Sequence, residues 1–385
     1  MKRVVGGILA LLIAMGIGRF AYTPLLPFMQ ADLALTDALA GYLATSNYAG
    51  YFVGAIGLTF FSFQEKRFIV LNGALFLNVL TTMIMGVTNE YLLLLLIRFI
   101  SGVSSAVVFI LASSIVLTYL GRLKKPQWSG LFYSGVGFGI AFSSISISYI
   151  VAALSWQATW LLLGVACIVL ALFSSSFLKE QQEIESSNAI HQRNEWIQKR
   201  WLPWLLVAYG LEGVGYIVTG TFIVSIAAQL PTIQWNPAFV WLIVGLAAIP
   251  SCYIWSRMAG RVGYVNGLVM ALGIQSIGII LPVLLPTTIG LSVSAFLFGM
   301  TFMGITTIVN TVARGSGTRI LGGLTAMYAG GQMLGPTIAG LLMTLTDSYE
   351  SALVFASICI VLATLIAYSG RPYELHVMEG KEIVQ

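Results

Sequence analysis

The chain has very few charged side chains for its length. Of its 385 residues, 9% are charged and 58% are hydrophobic, which is too little polar material to cover a water-soluble protein of this size. We therefore expect lipid to be its solvent. Only three cysteines, each in a different apolar run, and two histidines are present. No disulfide framework, thiolate metal site or histidine-based catalytic set is indicated.

Positive charge is missing from every second connection between the apolar runs, where only acids occur: Asp32, Asp37, Glu90, Asp347 and Glu350. All but two of the nineteen Lys and Arg residues lie in the termini or in the other connections. Because basic loops stay on the cytoplasmic side, the asymmetry predicts a multi-pass protein of the cell (inner) membrane with both termini in the cytoplasm. It also explains the net charge of +5 without nucleic acid as a partner.

Apolar runs of about 20 residues, the length that spans a bilayer, occur twelve times. The predicted fold is therefore all-α and integral to the membrane. The expected helices cover 4–29, 38–62, 68–87, 91–119, 129–152, 157–178, 202–229, 238–258, 262–284, 287–312, 320–344 and 350–369.

A polar stretch divides these helices six and six. We expect an N-terminal bundle (1–178), a cytoplasmic linker (179–201), a C-terminal bundle (202–370) and a cytoplasmic tail (371–385). The halves resemble one another. L-L-I-A-M-G-I-G-R-F-A-Y from Leu11 and L-L-V-A-Y-G-L-E-G-V-G-Y from Leu205 share five residues at a shift of 205 − 11 = 194. Internal repeats of this size are typical of secondary transporters, which bind their solute at the midplane.

Three charged residues lie inside apolar runs, where charge is costly and usually marks a polar path or cavity. They are Arg19, Arg98 and Glu212. The repeat places Glu212 opposite Gly18, beside Arg19 and near mid-membrane. Because a guanidinium stays ionised and offers a planar fork, Arg19 is expected to bind a carboxylate or phosphate, or to pair with Glu212. The alternative is that Arg19 extends to a lipid headgroup.

Glu212 is the candidate proton site. Burial opposes the ionisation of a carboxyl group and a nearby arginine favours it, so its protonation would follow the conformational state. The alternative is that Glu212 only neutralises Arg19.

Polar side chains on apolar helices supply further candidates for substrate binding. Tyr22 and Tyr216 follow the central charges by three or four residues, one helical turn along the same face. Each alternatively makes an interhelical hydrogen bond. The others are Asn47, Tyr48, Gln275, Asn310, Tyr328 and Gln332.

Four segments carry a family resemblance: G-I-G-R-F-A-Y-T-P-L-L-P-F-M (Gly16–Met29), G-Y-L-A-T-S-N-Y-A-G-Y-F-V-G-A (Gly41–Ala55), R-F-I-S-G (Arg98–Gly102) and G-L-A-A-I-P-S-C-Y-I-W-S-R-M-A-G-R-V-G (Gly245–Gly263). They resemble the major facilitator superfamily, and most closely its YbfB/YjiJ branch. The loop F-S-F-Q-E-K-R departs from the family by lacking a Gly and an Asp before Arg67, and the fifth span lacks the Gly-Pro of drug antiporters.

The resemblance implies two pseudo-symmetric six-helix bundles around a central cavity. It also implies a part in coupling for Arg98, for which a purely structural role is the alternative. Arg257 and Arg261, on the short loop after the eighth span, would form a latch between helices of the C-terminal half.

The predicted function is secondary active transport of a small organic solute by alternating access, with proton coupling. No enzymatic activity and no cofactor are expected, and the protein is expected to be a monomer in membrane lipid. An anionic or zwitterionic solute is favoured because Arg19 and Arg98 outnumber Glu212. The alternative is a proton-coupled exporter of amphipathic or aromatic compounds. A non-transporting membrane sensor or scaffold is the alternative of another class.

Overall fold

The structure, a computed structural model, describes residues 1–60, 66–123, 128–179, 201–314 and 318–370. Over these ranges the chain forms twelve long helices and no strand. We number them α1 (Lys2–Leu33), α2 (Asp37–Phe60), α3 (Arg67–Ile84), α4 (Tyr91–Arg122), α5 (Ser129–Ala153), α6 (Trp156–Leu178), α7 (Leu202–Gln229), α8 (Ala238–Val262), α9 (Tyr264–Leu284), α10 (Thr288–Arg314), α11 (Thr318–Thr346) and α12 (Tyr349–Ser369).

The twelve helices match the twelve predicted spans, so the predicted fold class is confirmed. Ten of them are long and apolar enough to cross a membrane. The other two are less apolar: α2 contains Thr, Ser, Asn and Gly residues, and α11 contains Thr, Gly and Gln residues. The predicted linker and tail fall almost wholly outside the described residues, and the division into domains stays a prediction.

The helices pack in two bundles with the same internal arrangement. In the first half, α2 packs on α4, α3 on α4 and α6, and α1 on α5 and α6. Adding six to each number gives the packing of the second half. Between the halves, α2 packs on α11 and α5 packs on α8. Exchanging each helix for its counterpart in the other half converts one of these contacts into the other. The helix α1 also packs on α7, a contact that relates the two halves to each other symmetrically, and more weakly on α8.

Burial follows this arrangement. Among the ten apolar helices, α1 and α7 are the most buried and α3 and α6 the most exposed. The exposed faces of the outer helices carry large apolar side chains such as Phe76, Leu172 and Leu362. Because such faces are stable only against lipid, the two central helices are the ones that can position a polar site away from lipid.

We call the end of the bundle at which α1 begins and α12 ends the terminal face, and the opposite end the distal face. Cross-half hydrogen bonds of α2 lie toward the distal face, where Thr45 donates to the Met333 carbonyl at 3.0 Å and meets the Thr337 hydroxyl at 2.7 Å. One turn nearer the terminal face, a Cβ added at Gly330 would meet no described atom within 4 Å outside the backbone of its own helix. The described hydrogen bonds between α2 and α11 thus lie toward the distal face, and the position at Gly330 is open.

Candidate functional site

The first helix is broken at the depth of its buried arginine. Lys2–Leu11 is α-helical, Leu12–Ile17 forms a π turn, and residues 18–21 form a turn before the helix resumes. Two backbone hydrogen bonds in this stretch span five residues instead of four. Such interruptions leave carbonyl groups without helical donors, so the backbone around Arg19 needs partners from other helices.

The fourth helix supplies those partners. The hydroxyls of Ser101 and Ser105 donate to carbonyls of α1 at 3.3 and 3.0 Å. The Nη1 of Arg98 donates to the carbonyl of Arg19 at 3.5 Å. Since these donors satisfy backbone groups that the break exposes, α4 stabilises the irregular shape of α1.

Arg19 itself lies between the two halves. Its side chain is 2% exposed, and its guanidinium carbon lies 4.4 Å from the ring centre of Tyr51, 4.6 Å from that of Tyr48 and 5.4 Å from that of Phe20. Its Nη2 donates to Oε1 of Gln332 at 2.8 Å, while its Nε is buried with no hydrogen-bond partner. Aromatic faces stabilise a cation, but no acid within the described ranges pairs with it.

Gln332 joins Arg19 to the second half. Its amide oxygen accepts the bond from Arg19, and its Nε2 donates to the hydroxyl of Tyr216. The three residues come from α11, α1 and α7 respectively, and none is more than 2% exposed. Two of the predicted substrate-binding residues therefore meet Arg19 in one hydrogen-bonded chain.

A row of nearly parallel rings continues from Tyr216. Its ring lies 5.4 Å from that of Tyr328 and 6.1 Å from that of Phe302, with angles of 7° and 8° between the planes. Tyr328 stacks in turn on Tyr209 at 4.3 Å. On the other side Phe302 contacts Phe20, beside Arg19. Side chains thus fill the centre where a cavity was expected.

Arg98 forms a second cluster nearer the distal face. Its guanidinium carbon lies 4.5 Å from the ring centre of Tyr22, and its Nε donates to the Leu43 carbonyl at 3.4 Å. Asn47 donates to the carbonyl of Arg98 at 2.9 Å. Because the turn at 18–21 interrupts the helical register, the Tyr22 ring lies against Arg98 instead of continuing the face of Arg19.

Glu212 lies inside the C-terminal bundle. Its side chain is 0% exposed, and neither carboxyl oxygen has a hydrogen-bond partner. It borders a void, shared with Tyr209 and Leu272, that is too narrow for a water molecule. The amide of Gln275 on α9, also without a hydrogen-bond partner, faces it. Arg19 and Glu212 form no ion pair among the described residues.

The remaining predicted residues lie apart from these clusters. Asn310 is half-buried near the end of α10, about 12 Å along the helix from Phe302 at 1.5 Å per residue. Arg257 and Arg261 are exposed and lie on α8, not on a loop, because the helix continues to Val262. Arg257 donates to Tyr253 of the same helix at 2.8 Å.

Several important residues escaped the sequence reasoning. Tyr51 and Phe20 contact Arg19, and Asn78 donates to the hydroxyls of Ser104 and Ser105 beside the helix break, both at 3.0 Å. One feature of the sequence could have indicated Tyr51: it lies three residues after Tyr48, so the two tyrosines share a helical face. The others look like ordinary membrane-helix residues. Within the described ranges, no group of three or more acids, histidines or cysteines could hold a metal ion.

Comparison with known proteins identifies the family to which the chain belongs. The family model described as "Uncharacterised MFS-type transporter YbfB" matches residues 11–368. A Bacillus subtilis (strain 168) protein, "Uncharacterized MFS-type transporter YceJ", is 22% identical over 377 residues, covering 92% of this chain and 93% of that protein. The "Hexuronate transporter" of the same organism is 21% identical over 374 residues, covering 88% of this chain and 87% of that protein.

A solved structure shares the fold. A mutant of the nucleoside transporter NupG superimposes with a TM-score of 0.75 at 12% identity, covering 96% of this chain and 100% of that chain. At that identity the similarity concerns the arrangement of the helices and not the solute.

Proposed function

The chain belongs to the YbfB family of MFS-type transporters, and from this premise we propose that it carries a small organic anion whose carboxylate binds Arg19. Membership makes the protein a multi-pass membrane transporter and not an enzyme. The sensor or scaffold alternative is therefore set aside. A zwitterion fits the same proposal, because it also presents a carboxylate.

The observation that carries the proposal is the buried, uncompensated charge of Arg19. A buried cation is costly unless it is paired, and charge-assisted bonds from an arginine fork to a carboxylate are among the strongest hydrogen bonds in proteins. Among the described residues, aromatic rings, the Gln332 amide oxygen and the Tyr51 hydroxyl surround Arg19, but no acid pairs with it. Its position between the halves, beside the helix break, is where both bundles can contact one solute.

The relatives support the same class of solute. One of the two curated relatives is named for hexuronate, an organic acid. The solved transporter is named for nucleosides, but its similarity concerns the fold alone. The stronger support comes from the chemistry of Arg19.

We infer alternating access from the contacts between halves. The contacts of α1 with α7 and of α2 with α11 lie toward the distal face: Thr23 donates to the Gly220 carbonyl at 2.5 Å, and Ala38 donates to Thr344 at 3.0 Å. The distribution of basic loops assigns the terminal face to the cytoplasm. Hydrogen bonds between α2 and α11 toward the distal face, with an open position at Gly330 on the terminal side, suit a carrier that opens to one face at a time.

Glu212 is our candidate for proton coupling. An ionised carboxylate without hydrogen bonds or a cation is costly in a dry site. Among the described residues no cation pairs with Glu212, and neither of its oxygens accepts a hydrogen bond, although the amide of Gln275 faces it. A change of conformation that brought water or Arg19 to Glu212 would release its proton. Arg98 would act indirectly, through the backbone of Arg19 that it holds.

A second candidate function rests on the aromatic row. Near-parallel rings from Tyr209 to Phe302 favour a solute with a flat ring or an apolar body. This observation supports export of amphipathic or aromatic compounds. The two candidates differ in their need for Arg19: an anion requires its charge, whereas an uncharged aromatic solute depends mainly on the rings.

Solute exchange in liposomes tests the proposal. Purified protein would be reconstituted and offered labelled glucuronate, benzoate, a neutral amino acid, a nucleoside and an aromatic cation. We expect exchange of a carboxylate by the wild type, loss of that exchange in Arg19→Gln and partial retention in Arg19→Lys. A lysine keeps the charge but not the planar fork.

Arg3→Gln is the matched control, since Arg3 is half-buried near the terminal face, at the start of α1, and its guanidinium lies over the Tyr119 ring. Carboxylate exchange that survives in Arg19→Gln would refute the proposed site. Exchange of the aromatic cation alone would favour the second candidate.

A further inference from the structure

The hydrogen bond between Arg19 and Gln332 occupies one of the two donors on one edge of the guanidinium and leaves the other unpaired. Nη2 donates to the amide oxygen at 2.8 Å, whereas Nε on the same edge is buried without a partner. Nε and Nη2 point along the same side of the planar group, the geometry that a carboxylate accepts with its two oxygens. The amide of Gln332 presents one oxygen to this edge and therefore satisfies only one of the two donors.

The nitrogen of the Gln332 amide has a hydrogen-bond partner of its own. Nε2 of Gln332 donates to the hydroxyl of Tyr216, so the amide cannot turn its nitrogen away without losing that bond. The arrangement holds the amide oxygen in the place that one oxygen of a carboxylate would occupy. An unpaired donor of a charged group remains beside it, in a site that is closed to water.

We propose that Gln332 is an internal competitor for the solute: the carboxylate of the solute displaces its amide oxygen from Arg19 and takes both Nε and Nη2. This inference rests on the proposed function and specifies which solutes the site at Arg19 would select. A carboxylate with two coplanar oxygens gains two charge-assisted bonds where the amide had one. An amide or ester analogue of the same solute gains nothing over Gln332 and is rejected.

The packing of α11 decides which bond breaks. A Cβ on Gly331 would meet the Gly210 carbonyl at 2.2 Å, and one on Gly335 would meet the Val214 carbonyl at 2.5 Å. The helices α7 and α11 are therefore in close backbone contact, and Gln332 stays with Tyr216 in the same half. The bond to Arg19 is the one that crosses between the halves, so binding of the solute would release the C-terminal half from α1 at the centre of the molecule.

Binding measurements on variants of the full chain in nanodiscs test the proposal, with glucuronate and benzoate as probes. Gln332→Met removes the competing oxygen at similar side-chain length. We expect it to bind the carboxylate about tenfold more tightly, a change of about 1.4 kcal/mol. Gln332→Asn, whose amide is one methylene shorter, should shift affinity in the same direction and serves if the Met variant folds poorly.

Gln332→Glu places a permanent carboxylate on Arg19. We expect it to lose binding of both probes and to unfold at a higher temperature than Gln332→Met. That gain in melting temperature should disappear when Arg19→Gln is added. Gln30→Met is the matched control, because Gln30 also hydrogen-bonds across the halves, to Ser225 at 3.0 Å, but does not contact Arg19. Its affinity for the probes should equal that of the wild type.

Weaker binding in Gln332→Met would overturn the proposal and make Gln332 a ligand of the solute. Normal binding in Gln332→Glu would also overturn it, because the edge of Arg19 would then not be the site. Failure of the proposed function looks different: Arg19→Gln would bind the probes as well as the wild type. If no variant binds either probe, the melting temperatures of Gln332→Glu with and without Arg19→Gln decide. A gain in melting temperature that depends on Arg19 supports the proposed geometry, and no such gain contradicts it.

Discussion

At the scale of single residues, the two arginines inside the membrane are stabilised in different ways. Arg98 donates to the carbonyls of Leu43 and Arg19 and covers the Tyr22 ring, so its charge serves the backbone. Arg19 is stabilised by rings and by the amide oxygen of Gln332, which belongs to the other half. Each arginine keeps one buried donor without a hydrogen-bond partner, Nε of Arg19 and Nη2 of Arg98, and such donors are expensive. Because Arg98 bonds backbone carbonyls of its own half whereas Arg19 bonds a side chain across the halves, Arg19 is the better candidate for a ligand that both halves contact.

Glu212→Gln tests the proton site at this scale. The substitution keeps the shape of the side chain and removes the titrating group, so folding should be preserved in a site that offers the carboxylate no partner. We expect the substrate-driven pH change, followed with a pH-sensitive dye inside liposomes, to vanish while glucuronate still binds.

Glu350→Gln, an exposed acid at the start of α12, is the control and should leave the pH change intact. A pH change of wild-type size in Glu212→Gln would move the proton site elsewhere.

At the scale of elements, the break in α1 depends on close contact with α5. A Cβ on Gly16 would meet the Cα of Gly139 at 2.3 Å, a separation that only two glycines permit. The π turn and this contact together place Arg19 where α4 can hold its backbone. An unbroken helix at the usual interhelical distance would rotate and shift the side chains that follow.

Gly16→Ala is therefore expected to reduce both stability and transport. The added methyl group has backbone, not a flexible side chain, as its neighbour, and overpacking of this kind typically costs about 1–3 kcal/mol. Thermal unfolding in detergent and carboxylate exchange in liposomes would measure the two effects.

Gly73→Ala on α3 supplies the comparison, because a Cβ there would meet no described atom within 4 Å outside the backbone of its own helix. There the better helix propensity of Ala should leave stability unchanged or slightly higher. Equal melting temperatures for the two variants would show that α1 and α5 tolerate separation.

At the scale of the whole molecule, the two bundles meet through symmetric pairs of helices and through the contact of α1 with α7. Small residues line these contacts, and most side-chain hydrogen bonds between α2 and α11 involve threonine. Such surfaces can part without leaving a buried charge unpaired. We therefore expect the two halves to separate at the distal face at a small cost in free energy.

A reversible crosslink tests that motion. Thr45 and Thr337 have their hydroxyl oxygens 2.7 Å apart across the halves, so we expect cysteines at these positions to form a disulfide, whose sulfurs lie about 2.05 Å apart. The double variant Thr45→Cys/Thr337→Cys is expected to stop exchange when oxidised and to recover with reductant. The three native cysteines are buried and should not interfere.

Thr45→Cys alone is the control and should transport in both conditions. Full exchange by the oxidised, crosslinked double variant would show that transport does not require these helices to separate.

Part of the candidate site could be anticipated from sequence because charge inside an apolar run is conspicuous wherever the chain folds. Arg19, Arg98 and Glu212 were identified in this way, and all three are buried. Their partners were harder to foresee. The prediction that Arg19 and Tyr22 share one helical face assumed a regular helix. Because residues 18–21 form a turn, the Tyr22 ring packs against Arg98 instead. The extension of α8 over Arg257 and Arg261 shows the same limit, since polar residues near a helix end do not mark where it stops.

The number of helices, their approximate ends, the internal repeat and the charge asymmetry between loops can all be read from the sequence, because a bilayer imposes apolarity and charge asymmetry on each segment locally. Which residues meet depends on the packing of the helices. Gln332 is 313 positions from Arg19, and their contact depends on how α1 bends and on how α11 packs against α7. No local pattern encodes a contact between separate helices, so the identity of the partner of Arg19 emerged only when the two halves were placed together.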